Sequence, residues 1–128
     1  MDVLLDTHAF LWYFQDSEQL SAEAAEILED TSNTLFLSIA SLWELAIKVG
    51  LGKLELQKPF HELQEVLHQL AIQILPITFA DTECYLDLPL HHRDPFDRML
   101  IAQAMTHSLV IISQDKQFDA YATKRVWA

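Results

Sequence analysis

The chain has 128 residues, 51% of them hydrophobic and 21% charged, which predicts one globular domain over residues 1–128 and excludes disordered and fibrous proteins. A single cysteine, Cys84, excludes an internal disulfide, and without a signal pattern or a run of about 20 apolar residues we expect a cytoplasmic protein with no membrane contact. The net charge of −11 at pH 7 disfavours duplex binding through a broad basic face.

Apolar runs and helical periodicity alternate in the first half of the chain. They predict strands at residues 3–5 and 35–37, a helix over residues 8–15 and a helix over residues 39–49. Between them, Ser21 is expected to cap a helix that extends through residue 30. Gly50 is expected to end the helix that follows the second strand.

The second half repeats this alternation. Pro59 is expected to begin a helix that extends through residue 70, and the apolar run at residues 72–75 predicts a third strand. Helices are predicted over residues 81–88 and 95–107, followed by a buried strand at residues 109–112. A short helix over residues 115–121 and an edge strand at residues 125–127 complete the pattern.

Strands that alternate with helices predict an α/β fold, with a mostly parallel sheet of four to five strands and helices on both faces. In such sheets the functional crevice lies beyond the carboxyl ends of the strands. Acidic residues placed there are therefore the first candidates for a functional site.

Four acidic residues from distant segments meet this condition. Asp6 follows the first strand, and Asp115 follows the fourth after two intervening residues. Glu44 lies in the second turn of the helix that leaves the second strand, and Asp97 lies in the first turn of the helix that begins at Pro95. We expect these four carboxylates to meet in one cleft.

Each acid also has a structural interpretation. Asp6 and Asp115 suit helix caps, and Asp97 suits the acidic first turn of a helix. Asp94 precedes Pro95 and is the natural cap of that helix, which leaves Asp97 as the stronger ligand candidate. Glu44 lies in an almost wholly apolar helix, where its alternative role is an ion pair with Lys48.

A divalent cation is the simplest way to hold several carboxylates together, because like charges raise one another's pKa. Oxygen ligands without a Cys or His arrangement suit Mg²⁺ or Mn²⁺ better than Zn²⁺. Such an ion can activate water and stabilise the charge that develops on a phosphate.

Four segments of the chain form a specific pattern. They are Leu4-Leu5-Asp6-Thr7-His8, Ser41-Leu42-Trp43-Glu44, Asp94-Pro95-Phe96-Asp97-Arg98 continuing to Ala104, and Ile112-Ser113-Gln114-Asp115. In this order they resemble the PIN-domain nucleases, and more narrowly the VapC-type toxins of bacterial toxin–antitoxin pairs. The last segment departs from the common Thr-Asn-Asp, but it keeps a hydroxyl and the acid.

The resemblance implies a three-layer α/β/α fold and a metal-dependent endoribonuclease whose catalytic, metal-binding acids are Asp6, Glu44, Asp97 and Asp115. It implies that Thr7 and Ser113 support these acids. It further implies an RNA substrate, a homodimer and a small cognate antitoxin that occludes the cleft.

Several other residues have candidate roles in the sequence. Arg98 and Lys48 are candidates for phosphate contacts. The adjacent His91 and His92 are expected to lie in a solvated loop, so that no His or Lys is placed to act as a catalytic base. The run at residues 10–14 is more apolar than a helix that buries only one face requires. It predicts either a wholly core position or a surface that binds a second copy or a partner.

Two other functions compete with the nuclease. A haloacid-dehalogenase-like phosphatase also places Asp at the end of the first strand, but its second Asp would fall at His8. A non-catalytic partner-binding module with the same fold gives no reason for four intact acids.

For the nuclease, the sequence shows no acid–base pair that could activate a ribose hydroxyl. Attack by water is therefore expected, which leaves 5′-phosphate and 3′-hydroxyl ends.

Overall fold

The computed structural model describes residues 1–127 and has one five-stranded sheet at its centre. The strands are β1 (Asp2–Leu5), β2 (Thr34–Ser38), β3 (Ile72–Leu75), β4 (Val110–Ile112) and β5 (Lys124–Val126). Their order across the sheet is β3-β2-β1-β4-β5, and every neighbouring pair is parallel. The predicted parallel sheet is confirmed with five strands. Ala128, the last residue of the predicted domain, lies outside the described residues.

Six helices connect the strands and cover both faces of the sheet. They are α1 (Thr7–Phe14), α2 (Ala22–Glu29), α3 (Ile39–Gly50), α4 (Leu63–Gln69), α5 (Phe79–Asp87) and α6 (Pro95–His107), with 3-10 turns at Phe60–Glu62 and Lys116–Ala120. Within residues 1–127, none of the helices combines the length and hydrophobicity needed to cross a membrane.

The apolar alternation of β1 shows why the fold has three layers. Val3 and Leu5 join one buried cluster with residues of α1, α2 and α4, whereas Leu4 joins a second cluster with residues of α6. Because successive side chains of a strand point to opposite faces, both faces of β1 are covered by helices. The predicted α/β/α layering is confirmed.

Most helices begin where the sequence places a capping side chain. Asp6, Ser21, Asp94 and Asp115 each accept a hydrogen bond from a backbone N–H in the first turn that follows. These side chains satisfy donors that have no partner inside the helix. The capping roles considered for Asp6 and Asp115 are therefore real, and they involve only one oxygen of each carboxylate.

Most element boundaries lie within one residue of the prediction, and three of the differences have a clear local cause. Pro59 precedes a 3-10 turn, and the α-helix begins only at Leu63. Helix α5 begins two residues earlier than predicted because Thr78 caps it and Asp81 completes a capping box. Helix α3 includes Gly50, and the left-handed backbone follows at Gly52, where φ is 70°.

The aromatic run of α1 packs against the core. Phe10 is fully buried, and Trp12, Tyr13 and Phe14 pack partly buried against the same cluster. Of the two alternatives for this run, core or a dimer or partner surface, the packing supports core. Exposed apolar side chains lie instead on α3, where Trp43 is 61% exposed.

Candidate functional site

The fold brings all four predicted acids to the carboxyl edge of the sheet. Asp6 directly follows β1, and Asp115 follows the neighbouring strand β4. Glu44 lies on α3, which leaves β2 and packs against both α1 and α6. Asp97 is the third residue of α6. This arrangement brings the four carboxylates close together, since the charges of Asp6, Glu44 and Asp115 all act on Asp97.

Asp6 is buried and held at both oxygens. Its Oδ1 accepts the N–H of Ala9 at 2.7 Å, and its Oδ2 accepts a hydrogen bond from the hydroxyl of Ser113. Burial raises the pKa of Asp6, while these two hydrogen bonds oppose the rise. Ser113 therefore supports Asp6 directly and fixes the loop after β4 to the end of β1.

Glu44 is held by one side chain on each oxygen. The hydroxyl of Thr7 lies 2.7 Å from Oε1, and the ammonium of Lys48 lies 3.0 Å from Oε2. Thr7 also lies 2.9 Å from the buried hydroxyl of Ser41. The ion pair between Glu44 and Lys48 is therefore present, and Glu44 also lies close enough to Asp97 to act on its charge.

Asp97 and Asp115 face each other across an imidazole. Nε2 of His92 lies 3.1 Å from Oδ2 of Asp97 and 3.6 Å from Oδ2 of Asp115. These three side chains offer ligand atoms that all lie within 4.8 Å of one another. The group lies partly buried and joins the start of α6 to the loop after β4.

The electrostatics of Asp97 show that the four acids form one cluster. Burial, followed by the negative charges of Asp94, Asp6, Glu44 and Asp115, raises its pKa to about 7. A carboxyl group normally ionises near 3.8, so this group is held partly protonated at neutral pH by its surroundings. Such a cluster can hold a divalent cation, because the cation relieves the repulsion between the carboxylates.

His92 is the residue that the sequence argument missed. The expectation of a solvated histidine loop is correct for His91, which is exposed and contacts the Tyr121 ring. It is wrong for His92, whose side chain is only 11% exposed and faces the acids. Adjacent residues of an extended loop point in different directions, so one of the pair turns inward while the other faces solvent.

Arg98 does not serve the role that the sequence suggested. It is 7% exposed, and its guanidinium donates to carbonyl oxygens between residues 85 and 92 while it stacks over the ring of Tyr85. The buried guanidinium closes this loop onto α6, which contradicts a phosphate contact. Arg98 therefore positions His92 through the loop backbone.

Comparison with known proteins agrees with this arrangement. Residues 3–124 match the family described as PIN domain. Ribonuclease VapC22 of Mycobacterium tuberculosis is 28% identical over 131 residues, and the match covers 98% of each chain.

Two solved structures share the fold at lower identity. VapBC2 from Rickettsia felis, bound to a DNA fragment from its promoter, gives a TM-score of 0.72 at 17% identity. The match covers 100% of this chain and 100% of that chain. FitAcB from Neisseria gonorrhoeae gives a TM-score of 0.65 at 23% identity, with 96% of this chain and 95% of that chain covered. The sheet order, the clustered acids and the family match over residues 3–124 together establish that this chain belongs to the PIN domain family.

Proposed function

We propose that this protein is a Mg²⁺- or Mn²⁺-dependent endoribonuclease and the toxin of a toxin–antitoxin pair. The observation that carries the proposal is the convergence of four carboxylates, since the charges of Asp6, Glu44 and Asp115 all act on Asp97. Its membership of the PIN family and its 28% identity to a ribonuclease support the choice of RNA as substrate.

The donor set suits a hard divalent cation. Asp6, Asp97 and Asp115 would hold the ion, and Glu44 would complete the ring of carboxylates. When bound, the ion supplies positive charge that lowers the pKa of water and stabilises the phosphate oxygens. Carboxylate oxygens are the ligands that Mg²⁺ and Mn²⁺ prefer, and their mutual repulsion makes a cation favourable here.

The surrounding side chains keep the acids in place. Ser113 and Thr7 donate to Asp6 and Glu44 from buried positions, so neither carboxylate has to reorganise when substrate arrives. Lys48 neutralises part of the charge of Glu44 and is 39% exposed, which leaves its remaining donors available to an RNA phosphate.

A basic pocket adjoins the acidic cleft and gives RNA a place to bind. It has a volume of about 340 Å³, and its lining includes Thr7, His8, Lys48 and Lys53. The two ammonium groups supply local positive charge on a chain with net charge −11. We therefore propose that the RNA backbone approaches the acids from this side.

An antitoxin is the proposed protein partner. Helices α3 and α4 form an open apolar groove of about 670 Å³, whose lining includes Ile39, Trp43, Ala46 and Phe60. An amphipathic helix is the kind of segment that fills such a groove. The structural neighbours include a toxin–antitoxin complex from Klebsiella pneumoniae, which supports a partner of this class.

A homodimer remains part of the proposal, but the apolar run of α1 does not supply its interface. The exposed apolar side chains Phe79 and Leu86 on α5 offer an alternative surface, being 79% and 82% exposed. Sedimentation at micromolar concentration tests the dimer, and a monomer throughout would contradict it.

Cleavage of an RNA mixture tests the activity itself. We expect cleavage with Mg²⁺ or Mn²⁺, none in EDTA, and none for Asp6→Asn or Asp97→Asn in folded protein. Asp16→Asn is the matched control, because Asp16 is exposed and its φ of 53° is a conformation that Asn tolerates. Full activity in both site variants would contradict the assignment, and absence of metal-dependent cleavage would favour a non-catalytic PIN module.

The ends of the cleaved RNA test how the bond breaks. Water is the expected nucleophile, so the bond from phosphorus to the 3′ oxygen breaks, the phosphate remains on the 5′ end and the 3′ oxygen gains a proton. His92 lies near the acids, but its Nε2 is buried and is not placed to deprotonate a ribose hydroxyl. Mass spectrometry should show 5′-phosphate and 3′-hydroxyl ends, and a 2′,3′-cyclic phosphate formed in EDTA would contradict this mechanism.

A further inference from the structure

The buried Nε2 of His92 has no aligned hydrogen-bond partner among residues 1–127. It nevertheless lies 3.1 Å from an oxygen of Asp97 and 3.6 Å from an oxygen of Asp115. A buried polar atom without a partner is costly, and nearly all such atoms in folded proteins are satisfied. The nearby carboxylates of Asp97 and Asp115 are therefore the expected hydrogen-bond partners of this atom.

The other ring nitrogen decides what Nε2 can do. Nδ1 of His92 accepts the backbone N–H of Asp94 at 3.2 Å. A neutral imidazole that accepts at Nδ1 carries its proton on Nε2. Nε2 is then a donor, and it has no lone pair to offer a metal ion.

The ring is also fixed in its orientation by the chain around it. The backbone N–H of His92 donates to the hydroxyl of Tyr121 at 2.7 Å, and its carbonyl lies 3.4 Å from the guanidinium of Arg98. The His92 ring also packs against Phe118. These contacts come from α6 and from the 3-10 turn after β4, and they hold Nε2 between the two carboxylates.

We propose that His92 is a positioning residue whose Nε2–H donates into the gap between Asp97 and Asp115, holding Asp97 by its Oδ2 oxygen and setting the spacing of the two carboxylates. The inference rests on the proposed metal-dependent nuclease. This hydrogen bond would use only Oδ2 of Asp97, so that Oδ1 would remain available to the ion. Asp115 is already held at Oδ1 by the N–H of Gln117 at 2.9 Å.

The tautomer of His92 is the first measurement. Long-range proton–nitrogen NMR of the imidazole in the full protein, without metal and with Mg²⁺, reports which nitrogen carries the proton. We expect Nε2 to be protonated in both samples. An unprotonated Nε2 in either sample would overturn the proposal, because His92 would then be an acceptor or a metal ligand.

Mg²⁺ titration by calorimetry is the second measurement. We expect His92→Leu to weaken Mg²⁺ binding by about 10-fold or more, the size typical for groups that orient metal ligands. His92→Gln places an amide N–H near the position of Nε2 and should restore much of the affinity, which a purely structural role of the ring would not predict. His91→Leu is the matched control and should bind Mg²⁺ as the wild type does.

The outcomes separate this inference from the function on which it rests. If His92→Leu remains folded and binds Mg²⁺ with wild-type affinity, His92 does not position the ligands. If the wild type itself binds no divalent cation, the proposed nuclease fails, and the NMR result alone decides whether Nε2 donates to the carboxylates.

Discussion

Thr7 Oγ1 lies 2.7 Å from Glu44 Oε1, so the residue that follows the first acid of the cleft holds the second. A threonine hydroxyl has a single proton, and the shorter contact to a charged acceptor takes it. The contact of 2.9 Å with Ser41 must then run the other way, with Ser41 donating to Thr7. This chain of hydroxyls connects the start of α1 to α3.

Replacing Thr7 tests this connection. Thr7→Val keeps the shape but removes the donor, so one oxygen of buried Glu44 loses its partner. We expect a loss of about 1–3 kcal/mol in the free energy of unfolding and about 10- to 100-fold in RNA cleavage. Thr7→Ser keeps the donor and should retain most of both quantities, as measured by urea unfolding and initial rates. Equal losses in the two variants would contradict the role given to the hydroxyl.

Asp97 should make the metal-free protein less stable as pH rises. Its native pKa is about 7 against an ordinary value of 3.8, so between these values the native chain holds more protons than the unfolded chain. The free energy of unfolding must therefore fall as pH rises through this window, and the loss is complete above it. Asp97→Asn removes this contribution.

Urea unfolding in EDTA between about pH 4 and about pH 8 measures the effect. The wild type should lose stability relative to Asp97→Asn as pH rises, and parallel curves would contradict the raised pKa. Mg²⁺ should oppose the loss, because the ion binds the ionised carboxylate and its affinity rises with pH.

Asp81 should stabilise the packing of α5 against α6 at neutral pH. It is fully buried and accepts from the N–H of Thr78 and the hydroxyl of Thr106, with Nε2 of His107 at 3.0 Å. Burial raises its pKa, but these hydrogen bonds outweigh burial and leave the pKa below the ordinary value. Its contribution is therefore present above that ordinary value and is lost as pH falls through the native pKa.

Asp81→Asn measures this contribution. We expect a loss of about 1–3 kcal/mol in the free energy of unfolding at neutral pH, and a smaller difference in acid. Asp87→Asn, an exposed change on the same helix, is the control and should have little effect. A constant difference across pH would show that the charge of Asp81 is not responsible.

Trp43 should be central to the proposed antitoxin interface. It is 61% exposed, lines the groove of α3 and α4, and packs edge-on against Phe96 with ring centroids 5.4 Å apart. Large aromatic side chains of this kind often dominate an interface. We expect Trp43→Glu to raise the Kd for the antitoxin by roughly 30-fold, or about 2 kcal/mol.

Leu86→Glu is the control when the Kd for the antitoxin is measured by titration. Leu86 is 82% exposed and lies on α5, away from the groove. If both substitutions weaken antitoxin binding equally, or if neither does, the groove is not the antitoxin site.

The sequence alone determined the elements and the acids of this protein. Alternating apolar runs predict strands and helices because each element must bury one face, and these signals are local. The segments around Asp6 and Asp97 are also local, because the residues that resemble PIN-domain nucleases are neighbours in the sequence. Because parallel strands share a carboxyl edge, the positions of Asp6 and Asp115 after two strands were enough to predict that these acids lie at the same edge.

Only the tertiary structure decided the directions of side chains outside the regular elements. The loop before α6 has no periodicity, so nothing in the sequence distinguishes His91 in solvent from His92 in the cleft. The guanidinium of Arg98 donates to carbonyl oxygens at the end of α5 and in the loop that follows, and these acceptors carry no side-chain signal in the sequence. Likewise, whether an apolar side chain such as Trp43 is exposed depends on which distant elements cover it, and that is a property of the assembled layers.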